Sequence, residues 1–177
     1  SSFLYHKAAA EALGGFNPRF RRSQDADLWF RLSRVGEIGV ISMPLVKIRK
    51  HNTNISNEAG GRMQAIFGTA AQTCHFLRMH GVPDPSQQSD AEWQQFVEWL
   101  TMRIEQSGLF ELGSEWVRLK QSYFFSDNRV VGACRLLKGL ATSPQVFRIL
   151  QKKCLGSNLA ARLTEEWIQR QCAGSSE

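Results

Sequence analysis

With 177 residues, 42% of them apolar and 21% charged, the chain has the length and balance of a globular protein that buries a core. No window approaches the roughly 18 to 20 consecutive apolar residues of a membrane-spanning helix, so that class is excluded. The net charge of +6 favours anionic partners, with an early cluster (Arg19, Arg21, Arg22, Arg31, Arg34, Lys47, Arg49, Lys50) and a later group (Lys152, Lys153, Arg162) that reads as solvated surface.

The first residues, SSFLYHKAAAEAL, lack the basic-then-apolar pattern of a secretory leader and read like the middle of a protein. Phe3 and Tyr5 predict a short strand, and Lys7 to Leu13 a short helix closed by Gly14 and Gly15. A helix over Asp25 to Val35, capped by Ser23 or Asp25, puts Leu28, Trp29, Leu32 and Val35 on one face. Two strands follow, Ile38 to Met43 and Leu45 to His51, broken at Pro44. Alternation places Lys47, Arg49 and His51 on one face of the second strand, making that face cationic.

Near residue 57 the punctuation by Gly, Pro and Asn gives way to helical spacing. Met63, Ile66, Phe67, Ala70, Cys74 and Leu77 mark a helix ending near Gly81, and VPDPSQQS reads as a polar linker. Trp93, Phe96, Val97, Leu100 and Ile104 mark the next helix, capped by Ser89 or Asp90 and ended by Gly108. Further helical faces fall at Leu112 to Tyr123, Val130 to Leu140 and Val146 to Leu150, and a last one at Leu159, Leu163 and Trp167 before a frayed CAGSSE tail. The expected class is α+β and predominantly helical, with a strand-and-helix segment over residues 1–57 and a helical bundle over 58–177. Cys74, Cys134, Cys154 and Cys172 form no C-x-x-C pair and stand near no His at zinc spacing, which predicts reduced, packing cysteines and a cytoplasmic chain. Trp93, Trp99, Trp116 and Trp167 sit on helical patterns, where packing in a core is the expectation.

The informative stretches are GGFNPRFRRSQDADLWFRL and KIRKHNTNIS. Together they resemble the acceptor-side motifs of family 2 inverting glycosyltransferases with a GT-A fold: a GGF(D/N) turn, an (E/Q)D-x-D-LW-x-RL helix start, and a strand pair ending in a YR-x-H-like segment with a trailing N-x-S. Gly14, Gly15, Phe16 and Asn17 match the first element; Gln24, Asp25, Asp27, Leu28, Trp29, Arg31 and Leu32 the second; Arg49, His51, Asn54 and Ser56 the third. The resemblance spans about residues 1–56. It implies an enzyme of polysaccharide biosynthesis that moves a sugar from a nucleotide-sugar donor to a saccharide or lipid-linked acceptor. Inverting transfer needs one base to take the acceptor hydroxyl's proton, and the resemblance assigns that to Asp25, set at a helix start among free N–H groups.

Gln24, Asp27, Trp29, Arg49 and His51 are the implied substrate-binding residues, Arg49 and His51 facing the departing diphosphate. Asp27, two residues past Asp25 on the same helix start, is aimed away from it and is read as structural or acceptor-binding. Gln24 stands where Glu is commoner. The family holds Mn²⁺ or Mg²⁺ on a D-x-D pair in an N-terminal half; no such pair precedes Asp25 here, His51 is the alternative candidate to help hold the cation, and the chain alone is expected to be inactive and to carry no cofactor. The competing expectation is a basic helical interaction module for protein or nucleic acid. No helix-turn-helix or aromatic-basic strand signature speaks for nucleic acid, whereas the basic side of the tail suits a membrane surface.

Overall fold

The computed structural model describes residues 3–47, 61–107 and 159–174. Within these, the chain is predominantly helical, in the order α1 (Lys7–Ala12), α2 (Gln24–Leu32), α3 (Arg62–Met79), a 3₁₀ turn (Pro85–Gln87), α4 (Asp90–Gln106) and α5 (Leu159–Gly174). Among the described residues no helix is long and apolar enough to cross a membrane. The chain divides into two compact units, Ser1–Leu100 with Ala160–Glu177, and Thr101–Leu159. The compositional change near residue 57 does not coincide with that division, because α2 packs on α3. In the second unit the described residues are Leu159 and the end of α4, where Ile104 is fully buried.

Helix α1 stops where two glycines take left-handed backbone angles, Gly14 at φ 79° and Gly15 at φ 68°, which a side chain would strain. The Gly15 N–H donates to the Ala10 carbonyl at 2.8 Å and Gly14 to Glu11 at 2.9 Å, satisfying the last carbonyls of the helix. Ala10 buries against Leu28 and Leu32 of α2, with Ala9 and Leu13 packed alongside. Helix α2 begins at Gln24, and Ser23 enters it in the left-handed region at φ 55°. Ser23 does not cap by its side chain; its hydroxyl donates to the Gln64 carbonyl of α3 at 3.1 Å. Gly68 lies opposite, where an added Cβ would meet that hydroxyl at 3.6 Å, an ordinary van der Waals contact.

The spacing of apolar residues in α3 translates directly into burial: Ile66, Phe67, Ala70, Cys74 and Leu77 are all interior, while Met63 at its start is exposed. Val82 N–H closes the helix end on the Leu77 carbonyl at 3.0 Å, after Gly81 at φ 69°. The VPDPSQQS segment, expected as a solvated linker, is instead tucked in: Asp84, Pro85 and Ser86 are buried. Asp84 makes this energetically tolerable by accepting the Ser86 N–H at 2.8 Å and pairing with Arg78.

Ser89 and Glu92 form a reciprocal cap at the start of α4. The Glu92 N–H donates to Ser89 Oγ at 3.2 Å, and the Ser89 N–H donates back to Glu92 Oε2 at 3.0 Å. The bond from the Ser89 hydroxyl holds the Glu92 carboxyl below its usual value. Phe96 and Leu100 of α4 are fully buried, and α5 lays Ala160, Leu163 and Trp167 inward. Trp167 meets Phe96 edge-on at 5.0 Å between ring centres and Trp99 at 4.9 Å, so Trp99 and Trp167 are core residues, whereas Trp93 is half-buried. The helical turn of α5 continues through Gly174, beyond the point where fraying was expected.

Residues 38–47, expected as two strands, form none, and Phe3 to Tyr5 form none either; no strand occurs among the described residues. The physical reason is that a β-prone sequence needs a neighbouring strand to exchange main-chain bonds with. No main-chain bond joins residues 37–47 to another described segment, and Ile38, Val40, Ile41, Met43, Leu45 and Val46 are all more than half exposed. The end of the expected second strand, with Arg49 and His51, lies outside the described residues, as do Asn54, Ser56, Cys134, Cys154, Gly108 and the helices expected between residues 112 and 150.

Candidate active site

Two motif segments meet at one buried ion pair. Asp27 has no exposed surface, and Arg31, one turn along α2, is nearly as deep. Arg31 Nε donates to Asp27 Oδ2 at 2.9 Å, with Nη2 2.8 Å from the same oxygen. The remaining edge of the guanidinium reaches the glycine turn: Nη1 donates to the Leu13 carbonyl at 2.8 Å and Nη2 to that of Gly15 at 2.6 Å. Arg31 therefore clamps the GGF turn onto α2, using a planar fork that a lysine lacks.

The turn is held from its other side as well. Asn17 Oδ1 accepts the Arg19 N–H at 3.0 Å, and Arg19 Nη1 donates to the Ser86 carbonyl at 3.2 Å. Arg19 Nη2 also pairs with Asp90 at the start of α4 at 2.7 Å. Phe20, with no exposed surface, plugs the gap between Phe67 (6.4 Å between ring centres) and Trp93 (5.1 Å). The GGFNPRF segment is thus fixed by main-chain bonds, two arginines and one aromatic plug.

On this frame Asp25 and Asp27 part company. Asp25 is exposed on the first turn of α2, and its Oδ1 accepts only the neighbouring Ala26 N–H, at 2.9 Å. Among the described residues no side-chain cation pairs with this carboxylate. Asp27, in contrast, has no surface on which to receive an acceptor, so its geometry fits structure alone. Gln24 is exposed beside Asp25, and Trp29 is half-buried with its ring 4.9 Å from that of Phe3.

No known protein family, curated protein or solved structure matches this chain.

Behind Asp27 the charge network continues into α3. Arg78 Nη2 approaches Asp27 Oδ1 to 3.6 Å, an ion pair beyond hydrogen-bond reach, while Arg78 Nη1 pairs closely with Asp84. Burial pushes the Cys74 thiol up, and the adjacent Asp84 carboxylate adds to the effect, so Cys74 is a packed thiol and not a nucleophile. His75 stacks on Phe30 of α2 at 4.9 Å; burial first, then the charges of Arg78 and Arg34, hold its imidazole below the ordinary value.

Sequence reasoning missed Arg78, Asp84 and the clamping role of Arg31. The last had a readable signal, since Asp27 and Arg31 stand four residues apart on one helix. Arg78 and Asp84 had none, because they join across a turn that composition marks as solvated. Among the described residues no three His, Cys, Asp or Glu side chains converge as metal ligands. His51, the candidate cation ligand, lies outside the described residues.

Proposed function

We propose that this chain forms the acceptor side of an inverting, nucleotide-sugar-dependent glycosyltransferase, with Asp25 as the general base. One observation carries the reading: Arg31 locks the GGF turn to α2, so the two motif segments are a single rigid body with the Asp25 carboxylate exposed on it. In the reaction Asp25 takes the proton of an acceptor hydroxyl as that oxygen attacks the anomeric carbon, and the carbon–oxygen bond to the diphosphate breaks. A carboxylate within hydrogen-bond reach of the hydroxyl suffices, and rigid backing holds it there. Gln24, alongside, offers an amide for neighbouring sugar hydroxyls, and Trp29 an aromatic edge. Asp27 belongs to the frame and not to the acceptor. Arg49 and His51 keep their proposed role toward the departing diphosphate, and the resemblance implies Mn²⁺ or Mg²⁺ held by a carboxylate pair outside the residues assigned here. The saccharide or lipid-linked nature of the acceptor rests on the same resemblance.

The test is Asp25→Asn in the full-length enzyme. Transfer falls by about 10²-fold or more if Asp25 is the base, with the melting temperature unchanged because the residue is exposed. A rate near that of the parent removes Asp25 from the reaction.

A further inference from the structure

At the far end of α2 from Asp25, an open groove of about 500 Å³ is lined by three arginines, Arg31, Arg34 and Arg78, with Asp84, the partner of Arg78, also in its wall. That volume lies within the range of small-molecule sites, roughly 300–1,000 Å³. The charge count is uneven. Three cations face two carboxylates, Asp27 and Asp84, which leaves one positive charge uncompensated among the described residues.

The donors are uneven too. Arg31 is nearly spent on Asp27 and the carbonyls of Leu13 and Gly15. Arg78 is not: its side chain keeps only 10% exposure, yet among the described residues Nε and Nη2 have no hydrogen-bond acceptor, Nη2 standing 3.6 Å from Asp27 Oδ1. Burying such donors without acceptors costs free energy, so a bound oxyanion or a shift of the guanidinium toward one is favoured. Arg34 stands exposed and has no carboxylate partner among the described residues.

Leu13, Val35 and Val82 complete the wall with apolar surface, and Gln87 adds one amide. Such a lining suits a molecule with one strongly anionic end and a small organic remainder. At about 1.5 Å per residue, Arg31 lies about 9 Å along α2 from Asp25, too far for one reacting centre to touch both. The groove is therefore separate from the proposed base and does not depend on the transferase reading.

We propose that this groove is a binding site for a phosphorylated small molecule, its phosphate held by Arg34 and Arg78 and its organic part lying on Leu13 and Val82. A phosphate dianion matches the surplus charge and offers acceptors to two guanidiniums at once. Isothermal titration of the 177-residue chain at constant ionic strength, with glycerol 3-phosphate, inorganic phosphate and succinate as probes, tests it. Glycerol 3-phosphate is expected to bind saturably and more tightly than inorganic phosphate, and Arg34→Gln to weaken it by about tenfold or more. Lys7→Gln, which removes the same charge from exposed α1, leaves the affinity unchanged. Because Arg34 is exposed, its variant folds, and a thermal melt checks that. Absence of saturable binding overturns the site, as does equal weakening by Arg34→Gln and Lys7→Gln, which would mean bulk charge alone. Tighter binding of succinate than of the phosphates overturns the phosphate assignment, and equal affinity for the two phosphates overturns the apolar contact.

Discussion

Two parts of the first unit are held together by opposite means. Around Asp27 the junction is polar: two carboxylates, three arginines and a set of main-chain carbonyls fix the glycine turn, α2, α3 and the 3₁₀ turn relative to one another. Between α4 and α5 the contact is aromatic, with Phe96, Trp99 and Trp167 in mutual ring contact. Apolar area is forgiving of small rotations, whereas a guanidinium fork accepts one geometry. The polar junction is the one beneath Asp25. The base role proposed for Asp25 requires positioning to a fraction of an ångström, which directional bonds favour at the risk of greater fragility.

That contrast is sharpest in Asp27→Ala. Removing the carboxylate leaves Arg31 and Arg78 with less compensation in the interior, and urea unfolding is expected to show a loss of about 4 kcal/mol. A loss under about 1 kcal/mol would mean that packing, not pairing, holds the junction. Trp167→Ala comes next at about 3 kcal/mol, the cost of a large aromatic cavity; circular dichroism melts are expected to show it as a cooperative shift. Ser89→Ala, which removes only the reciprocal cap of α4, costs about 1 kcal/mol in the same melts.

The smallest effect is that of pH at the α2–α3 contact. His75 has its folded-state value lowered from the ordinary 6.5, so below that pH the unfolded chain takes up the proton more readily than the folded one. Its contribution is fully present above about pH 6.5 and declines as pH falls beneath it. Stability measured between pH 7 and 5 is therefore expected to drop slightly, and His75→Phe to abolish that part of the slope. Glu92, whose value is also lowered, acts in a more acidic window, from below its ordinary 4.5.

Much of the helical framework was legible in the sequence because burial followed the 3.6-residue period: Ile66, Phe67, Ala70, Cys74 and Leu77 in α3, and Phe96 and Leu100 in α4, are where spacing puts them. The two glycines after α1 were equally readable, since left-handed geometry is their special province. For Asp25 and Asp27 the sequence alone says that they point apart and leaves Asp27 as structural or acceptor-binding. Which of them turns inward depends on Arg31 and on a distant Arg78, and no local pattern encodes a partner from another helix. Residues 38–47 misled for a related reason: alternation of Val, Ile and Leu states a preference, and a strand exists only where another strand answers it.

Arg31 grips the glycine turn solely through the carbonyl oxygens of Leu13 and Gly15, and so is indifferent to which side chains the turn displays. Phe16 and Pro18, both exposed beside that grip, are consequently open to diversification, and libraries randomised there would alter the outer rim without loosening its foundation.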